Sequence, residues 1–121
     1  VDIVEDDDAV RDSMCALLEA YGYIARGYAS AAPFLQHGAA APGHCLIVDL
    51  HMPEMTGLEL LESLRSRGVR VPALMITGRH DPSLEPRIER VGVVKLLHKP
   101  VQEDQLFSWI EQACGNGAAA H

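Results

Sequence analysis

Five short apolar runs, each followed by a segment with helical spacing, recur along the 121 residues, and this alternation limits the fold more than any single residue does. The first strand is expected at about 1–5, followed by a helix from Asp8 to Tyr21 with Val10, Met14, Leu17 and Leu18 on one face and Gly22 as its stop. A second strand covers about 23–28, and Ser30 then caps a short helix through Gln36. The Ala39-Ala40-Ala41-Pro42-Gly43 stretch reads as a surface loop. Strand three begins at Cys45 and ends at Asp49. Thr56 with Glu59 three residues later forms a capping box for a helix carrying Leu58, Leu60, Leu61 and Leu64, which stops at Gly68.

Strand four is expected at about 71–77 and strand five at about 93–98. Pro82 and Pro86 lie between them, and two prolines four apart do not both fit inside one helix, because the second removes a hydrogen bond and crowds the preceding turn. The fourth helix is therefore expected to be short, starting near Pro86, or distorted over its first turn. A last amphipathic helix carries Leu106, Phe107, Trp109, Ile110 and Ala113, and the tail from Gly115 to His121 is expected to be a frayed end or the start of a linker. Near-uniformly apolar strands separated by helices predict an α/β fold: a doubly wound, five-stranded parallel sheet with helices on both faces.

The length suits one domain, with residues 1–114 forming it, and 48% apolar residues exclude a disordered chain. A formal charge of −7 argues against direct binding to nucleic acid, which depends on basic side chains. No apolar run reaches membrane-spanning length and no signal peptide is visible, so a cytoplasmic location and no membrane contact are expected. The three cysteines, at 15, 45 and 114, form no Cys-x-x-Cys pair, and Cys15 and Cys45 read as core residues of a reducing compartment. Because Val1 opens with a strand already under way, the sequence is expected to be a piece of a longer chain.

Glu5-Asp6, Asp49, Thr77 and Lys99 each follow a strand, at the sheet edge where open parallel sheets place their ligands. If the first and third strands are adjacent, the acidic side chains share a small volume and repel one another unless a cation joins them. A carboxylate can attack phosphorus and form an acyl phosphate once that repulsion is relieved. Glu5, Asp6 and Asp49 suit Mg²⁺, for which Mn²⁺ could substitute; Lys99 offers a fixed positive charge, the Thr77 hydroxyl a hydrogen bond to a phosphoryl oxygen, and Gly78 room for that group. Each residue alone has a plainer reading. Asp7 and Asp8 read as a solvated helix start, and Asp49 by itself could be a turn residue. Joint placement after successive strands favours a site.

Glu5-Asp6, Asp49 within Asp-Leu-His-Met-Pro-Glu-Met-Thr-Gly, Ile76-Thr77-Gly78 and Lys99-Pro100 together resemble the receiver domains of two-component response regulators, the FixJ-type group most of all. The resemblance implies a flavodoxin-like sheet of order 2-1-3-4-5. It implies that Asp49 is the phospho-acceptor, taking its phosphoryl group from a sensor histidine kinase or a phosphotransfer protein, with slow loss of the phosphate afterwards and no turnover of an external substrate. Asp6 and Asp49 would ligate Mg²⁺ directly, Glu5 through water, and the backbone carbonyl of His51 would add an oxygen. Thr77 and Lys99 would read the phosphorylated state. An output domain elsewhere in a full-length chain, with transcription regulation as one possible role, and a homodimer through helix four, strand five and helix five are further implications.

The sequence departs from the family at the aromatic switch position, which is Leu96 here, so switching is expected to run through the loop after Gly78 and the proline-weakened fourth helix. Two competing readings use the same fold. A Mg²⁺-dependent aspartate-nucleophile phosphohydrolase wants a second carboxylate two residues after the nucleophile, where this chain has His51. A non-phosphorylated interaction domain would not need Asp49 or Lys99. His51 itself reads as a loop histidine, and His98, pointing to the face opposite Lys99, is assigned no chemistry.

Overall fold

Parallel pairing runs through the whole sheet. The computed structural model describes residues 1–37 and 45–115, in which β1 (Asp2–Val4), β2 (Arg26–Tyr28), β3 (Leu46–Asp49), β4 (Ala73–Thr77) and β5 (Lys95–His98) lie in the order β2-β1-β3-β4-β5. Helices α1 (Asp8–Ala20), α2 (Ala31–His37), α3 (Gly57–Ser66), α4 (Glu85–Val91) and α5 (Glu103–Ile110) connect and cover the strands. The expected fold is the observed one. The 39–43 loop and the tail beyond Gly115 lie outside the described residues.

Period-two alternation divides the core into two layers. Val4, Leu46, Val48, Ala73 and Met75 join Phe34 of α2, the leucines of α3, and Ile88 and Val91 of α4 on one face. Ile3, Cys45, Ile47, Leu74, Ile76 and Leu97 meet Met14 and Leu18 of α1 and Leu106 and Ile110 of α5 on the other. Central strands β1, β3 and β4 are buried throughout, whereas β2 is exposed or half-buried and Lys95 and His98 of β5 are exposed.

The edges therefore differ from the sequence expectation. Residues 23–25 and 93–94 continue the apolar runs but not the strands, because an edge strand has one partner and a ladder that ends where that partner ends. Ile24, 77% exposed, lies in one of these trimmed ends. The proline-rich segment resolves into a 3₁₀ turn (Pro82–Leu84) capped by Asp81, followed by a seven-residue α4 whose second residue is Pro86, where the missing N–H costs no intrahelical bond. At the other end of the chain α5 stops at Ile110, and a wider i→i+5 turn spans Glu111–Gly115, so that the consecutive residues Ala113 and Cys114 are both buried.

Helix starts follow the chemistry of their caps. The Asp7 side chain accepts from Val10 N–H at the start of α1, and Asp8 pairs with Arg11, so these two acids serve the helix. At α3 the Thr56 side chain accepts from Glu59 N–H at 3.1 Å while the Glu59 carboxylate accepts from Thr56 N–H at 2.9 Å. Thr56→Ala leaves one of these donors unsatisfied and should lower stability by about 1 kcal/mol, measured as a shifted urea midpoint with an unchanged slope.

Candidate functional site

The register of β1 against β3 pairs Val4 with Val48, so the next residues, Glu5 and Asp49, emerge side by side at the carboxyl edge of the sheet. Both are almost fully buried, and Asp6 beside them is exposed. One carboxylate oxygen from each of Glu5, Asp6 and Asp49 lies within 4.8 Å of the others. Lys99, following β5, reaches across with Nζ 2.9 Å from Glu5 Oε1 and 3.1 Å from Asp49 Oδ2. Three carboxylates thus face one ammonium group.

That imbalance is visible in the proton affinities. Burial, and next the neighbouring Asp49 carboxyl, push the Glu5 carboxyl above its ordinary value, although Lys99 opposes the shift. Burial alone would lower Lys99; its pairing with Glu5 and Asp49 outweighs burial and raises it. The signs differ in consequence. The raised Glu5 value means that stability declines as pH rises from about 4.5 through the folded-state value, whereas the contribution of Lys99 is present below 10.5 and is lost only as pH rises through its own raised value.

The backbone around Asp49 is closely fitted. Oδ1 of Asp49 accepts from His51 N–H at 3.2 Å, Leu50 N–H donates to Ile76 O at 2.7 Å, and Gly57 N–H donates to Leu50 O at 3.0 Å, which folds the 50–56 loop back onto the strand end. Glu54 takes a left-handed conformation, φ 69°, at the tip of this loop. A Cβ on Gly57 would sit 2.3 Å from the Asp49 carbonyl oxygen and 2.9 Å from Val48 Cγ2. No side chain fits there.

Of the residues singled out in the sequence, Glu5, Asp6, Asp49 and Lys99 come together. Gly78 lies next to the lysine stem, with Lys99 Cδ 3.8 Å from the point where a Cβ would stand. Thr77 is buried at the end of β4, but its hydroxyl does not point freely into the pocket: it donates to Arg79 O at 2.6 Å and accepts from Arg79 N–H at 3.1 Å. Leu96 is half-buried and packs on the α4 side of the sheet, away from the carboxylates. His51 lends its N–H to Asp49, while its Nε2 is buried without a hydrogen-bond partner. His98 is exposed, with its ring 6.2 Å from that of His80.

Arg11 was not read from the sequence. Its guanidinium donates to the Glu5 carbonyl at 2.8 Å and to Asp8 at 2.5 Å, tying the first turn of α1 to the acidic corner. The Asp8–Arg11 spacing, i to i+3, was the available signal, but it is indistinguishable from an ordinary surface pair until Glu5 is placed.

The model of the response regulator receiver domain matches residues 1–111. The chain belongs to this family. It is similar to the transcriptional regulatory protein FixJ of Azorhizobium caulinodans, 34% identical over 118 residues that make up 98% of this chain and 56% of that protein. The response regulator TodT of Pseudomonas putida is 32% identical over 92% of this chain and 49% of its own length. The chain therefore spans about half the length of these curated relatives. Among solved structures, the response regulator StyR superposes with a TM-score of 0.90 at 32% identity, covering 98% of this chain and 60% of that one. The FixJ amino-terminal domain gives 0.84 at 31%, covering 94% and 91%. A five-stranded receiver domain of the regulatory, two-component kind is thus what this sequence encodes.

Because the Gly57 contact is with backbone, which cannot swing aside, Gly57→Ala should displace the receiver domain's 50–56 loop and cost about 1–3 kcal/mol as over-packing does. Chemical denaturation measures the loss, and an unchanged midpoint would show that the loop yields freely.

Proposed function

We propose that this receiver domain works as a phosphorylation switch in which Asp49 accepts a phosphoryl group. The observation that carries the proposal is the Asp49 carboxylate itself, buried, held on one oxygen by His51 N–H and on the other by Lys99, with Glu5 and Asp6 beside it. In the transfer an Asp49 oxygen forms a bond to phosphorus while the bond from phosphorus to the donor breaks, and the bonding electrons leave with the donor. A phosphohistidine of a sensor kinase or phosphotransfer protein is the donor that family membership suggests. Lys99 stays within reach of the product's oxygens and offsets their charge.

The donor set fits a hard divalent cation. All three acids offer oxygen, they lie close enough to share one ion, and Glu5 Oε1, although 2.9 Å from the lysine, makes no directed hydrogen bond. Glu5, Asp6 and Asp49 would hold Mg²⁺, with the His51 carbonyl as a further oxygen. Such an ion, when bound, supplies charge neutralisation for the incoming phosphoryl group.

The readout follows from Thr77. For its hydroxyl to donate to a phosphoryl oxygen, the 2.6 Å hydrogen bond to the Arg79 carbonyl must be given up, which releases the start of the segment leading to α4. That segment is lightly held: α4 buries Ile88 and Val91, and its ties to α3 are the half-exposed Arg87–Glu62 pair and the bond from Arg65 to Val91 O. An exposed pair of this kind contributes little. The phosphohydrolase reading loses ground because the residue two after Asp49 is a histidine whose outer nitrogen is buried, not a carboxylate. As for the wider protein, relatives named as transcriptional regulators favour an output domain in a longer chain, acting on transcription.

Acetyl phosphate with Mg²⁺ should add one phosphoryl group by intact mass, and Asp49→Asn should add none; equal labelling of both proteins rejects the assignment. Millimolar Mg²⁺ should raise the melting temperature of the unmodified domain, a hundredfold excess over Kd stabilising it by about 3 kcal/mol, and EDTA should reverse the rise. Amide exchange over residues 79–91 should change on phosphorylation, and identical protection in both states would exclude α4 as the responding element.

A further inference from the structure

Two histidines far apart in sequence are brought together at the carboxyl edge of the sheet, on its α4 side. His98 ends β5 and pairs in register with Thr77, the last residue of β4. Alternation gives its side chain the face of Leu96, which packs in the α4-side layer. His80 lies three residues beyond Thr77, where the chain turns back because the Thr77 hydroxyl accepts from Arg79 N–H and donates to Arg79 O. The ring of His80 thereby comes to lie 6.2 Å from that of His98, centre to centre, with the planes inclined at 50°. Both residues are exposed. Their spacing along the chain fits no local metal motif, which is why the sequence assigned His98 no chemistry.

This separation suits a shared metal ion. An imidazole nitrogen lies about 1 Å from its ring centre and about 2.1 Å from a bound Zn²⁺, so two rings on one ion have centres about 5–6.5 Å apart, depending on the angle between them. Exposed rings bury little apolar area against one another, so the hydrophobic effect alone gives this contact little support. Were both protonated, they would repel.

The surrounding charges favour a cation. Asp81 follows His80, and its carboxyl is held below its ordinary value by hydrogen bonds from Ser83 first and, further, by the rings of His51 and His80. It is therefore ionised under conditions where imidazoles are neutral and able to bind metal. Lys99, next to His98, is turned to Glu5 and Asp49, which balance its charge. Arg79 is exposed, where salt screens it.

We propose that His80 and His98 form a binding site for a borderline divalent cation, Zn²⁺ before others, which clips the loop after β4 to the end of β5. One nitrogen of each ring binds the ion, and water completes its coordination. Nitrogen ligands separate this site from the acidic cluster, whose oxygens suit Mg²⁺. The clip restrains the residues that lead into the 3₁₀ turn. It does not depend on the phosphotransfer reading, since neither imidazole belongs to the acidic cluster.

The 121-residue chain, stripped of metal with EDTA and dialysed into excess Mg²⁺, is titrated with zinc chloride in a calorimeter. One Zn²⁺ should bind per chain at micromolar concentration. His80→Ala and His98→Ala should each weaken that binding by about tenfold or more, no less than loss of an outer-shell partner costs a metal site, whereas His37→Ala should leave it unchanged. Amide exchange over residues 79–81 should slow when Zn²⁺ is added, and EDTA should restore it. Absence of Zn²⁺ binding, or binding that survives either of the two histidine substitutions at full strength, would overturn the proposal. Binding lost in Asp49→Asn but kept in both histidine variants would place the ion in the acidic cluster and equally reject it.

Discussion

Two carboxylates buried side by side at the ends of adjacent parallel strands are the constraint on which the rest of this receiver domain turns. The β1–β3 register makes the juxtaposition unavoidable, since pairing Val4 with Val48 leaves Glu5 and Asp49 no separate exits. Water cannot screen them well, and Lys99 balances only part of their charge. Isolated, such a cluster would spread apart or take up protons. It persists because both layers of core, anchored by fully buried residues such as Ile3, Ile47, Leu74 and Met75, hold the three central strands in place. The stability of the core is thus what maintains this electrostatically unfavourable cluster of carboxylates.

The two sides of that pocket are built to different tolerances. Toward α3, Gly57 packs directly on the Asp49 carbonyl, the capping box closes both free ends of the first turn, and four buried leucines follow. Toward α4, a 3₁₀ turn precedes a seven-residue helix with two buried side chains and a partly exposed ion pair. Local opening costs least where few apolar contacts are lost. The acidic cluster is therefore mounted on the firm side, and the more weakly held helix lies on the other.

The sequence made most of this legible because the informative signals were local. Asp49, Glu5 and Asp6 end apolar runs, Thr56 and Glu59 have capping-box spacing, and Pro82 with Pro86 foretold a broken α4; all of these are read within a few residues. What escaped depended on distant partners. The trimmed ends of β2 and β5 follow from their edge positions, the role of Arg11 from the location of the Glu5 carbonyl, and the joint burial of Ala113 and Cys114 from the wider turn that follows α5. The Thr77 hydroxyl was correctly placed at a strand end, yet its engagement with Arg79 is set by the loop path, which residue type alone does not encode.

Leu96 sharpens how a signal could leave the pocket. A leucine packed against the α4-side core has no polar tip to exchange between solvent and interior, so its position cannot report charge at Asp49 by a change in hydrogen bonding. Under the proposed phosphorylation Thr77 could, because its hydroxyl already spans two residues of backbone: a proton donated to a phosphoryl oxygen would be one withdrawn from the Arg79 carbonyl. The Arg79 carbonyl lies two residues before Asp81, which caps the 3₁₀ turn by accepting from Ser83 N–H at 3.1 Å and from the Ser83 hydroxyl at 2.5 Å. In the proposed switch a shift at residue 79 would pass to a capped turn and then to a helix with few anchors, a route made of hydrogen bonds with discrete alternatives rather than of a swinging ring.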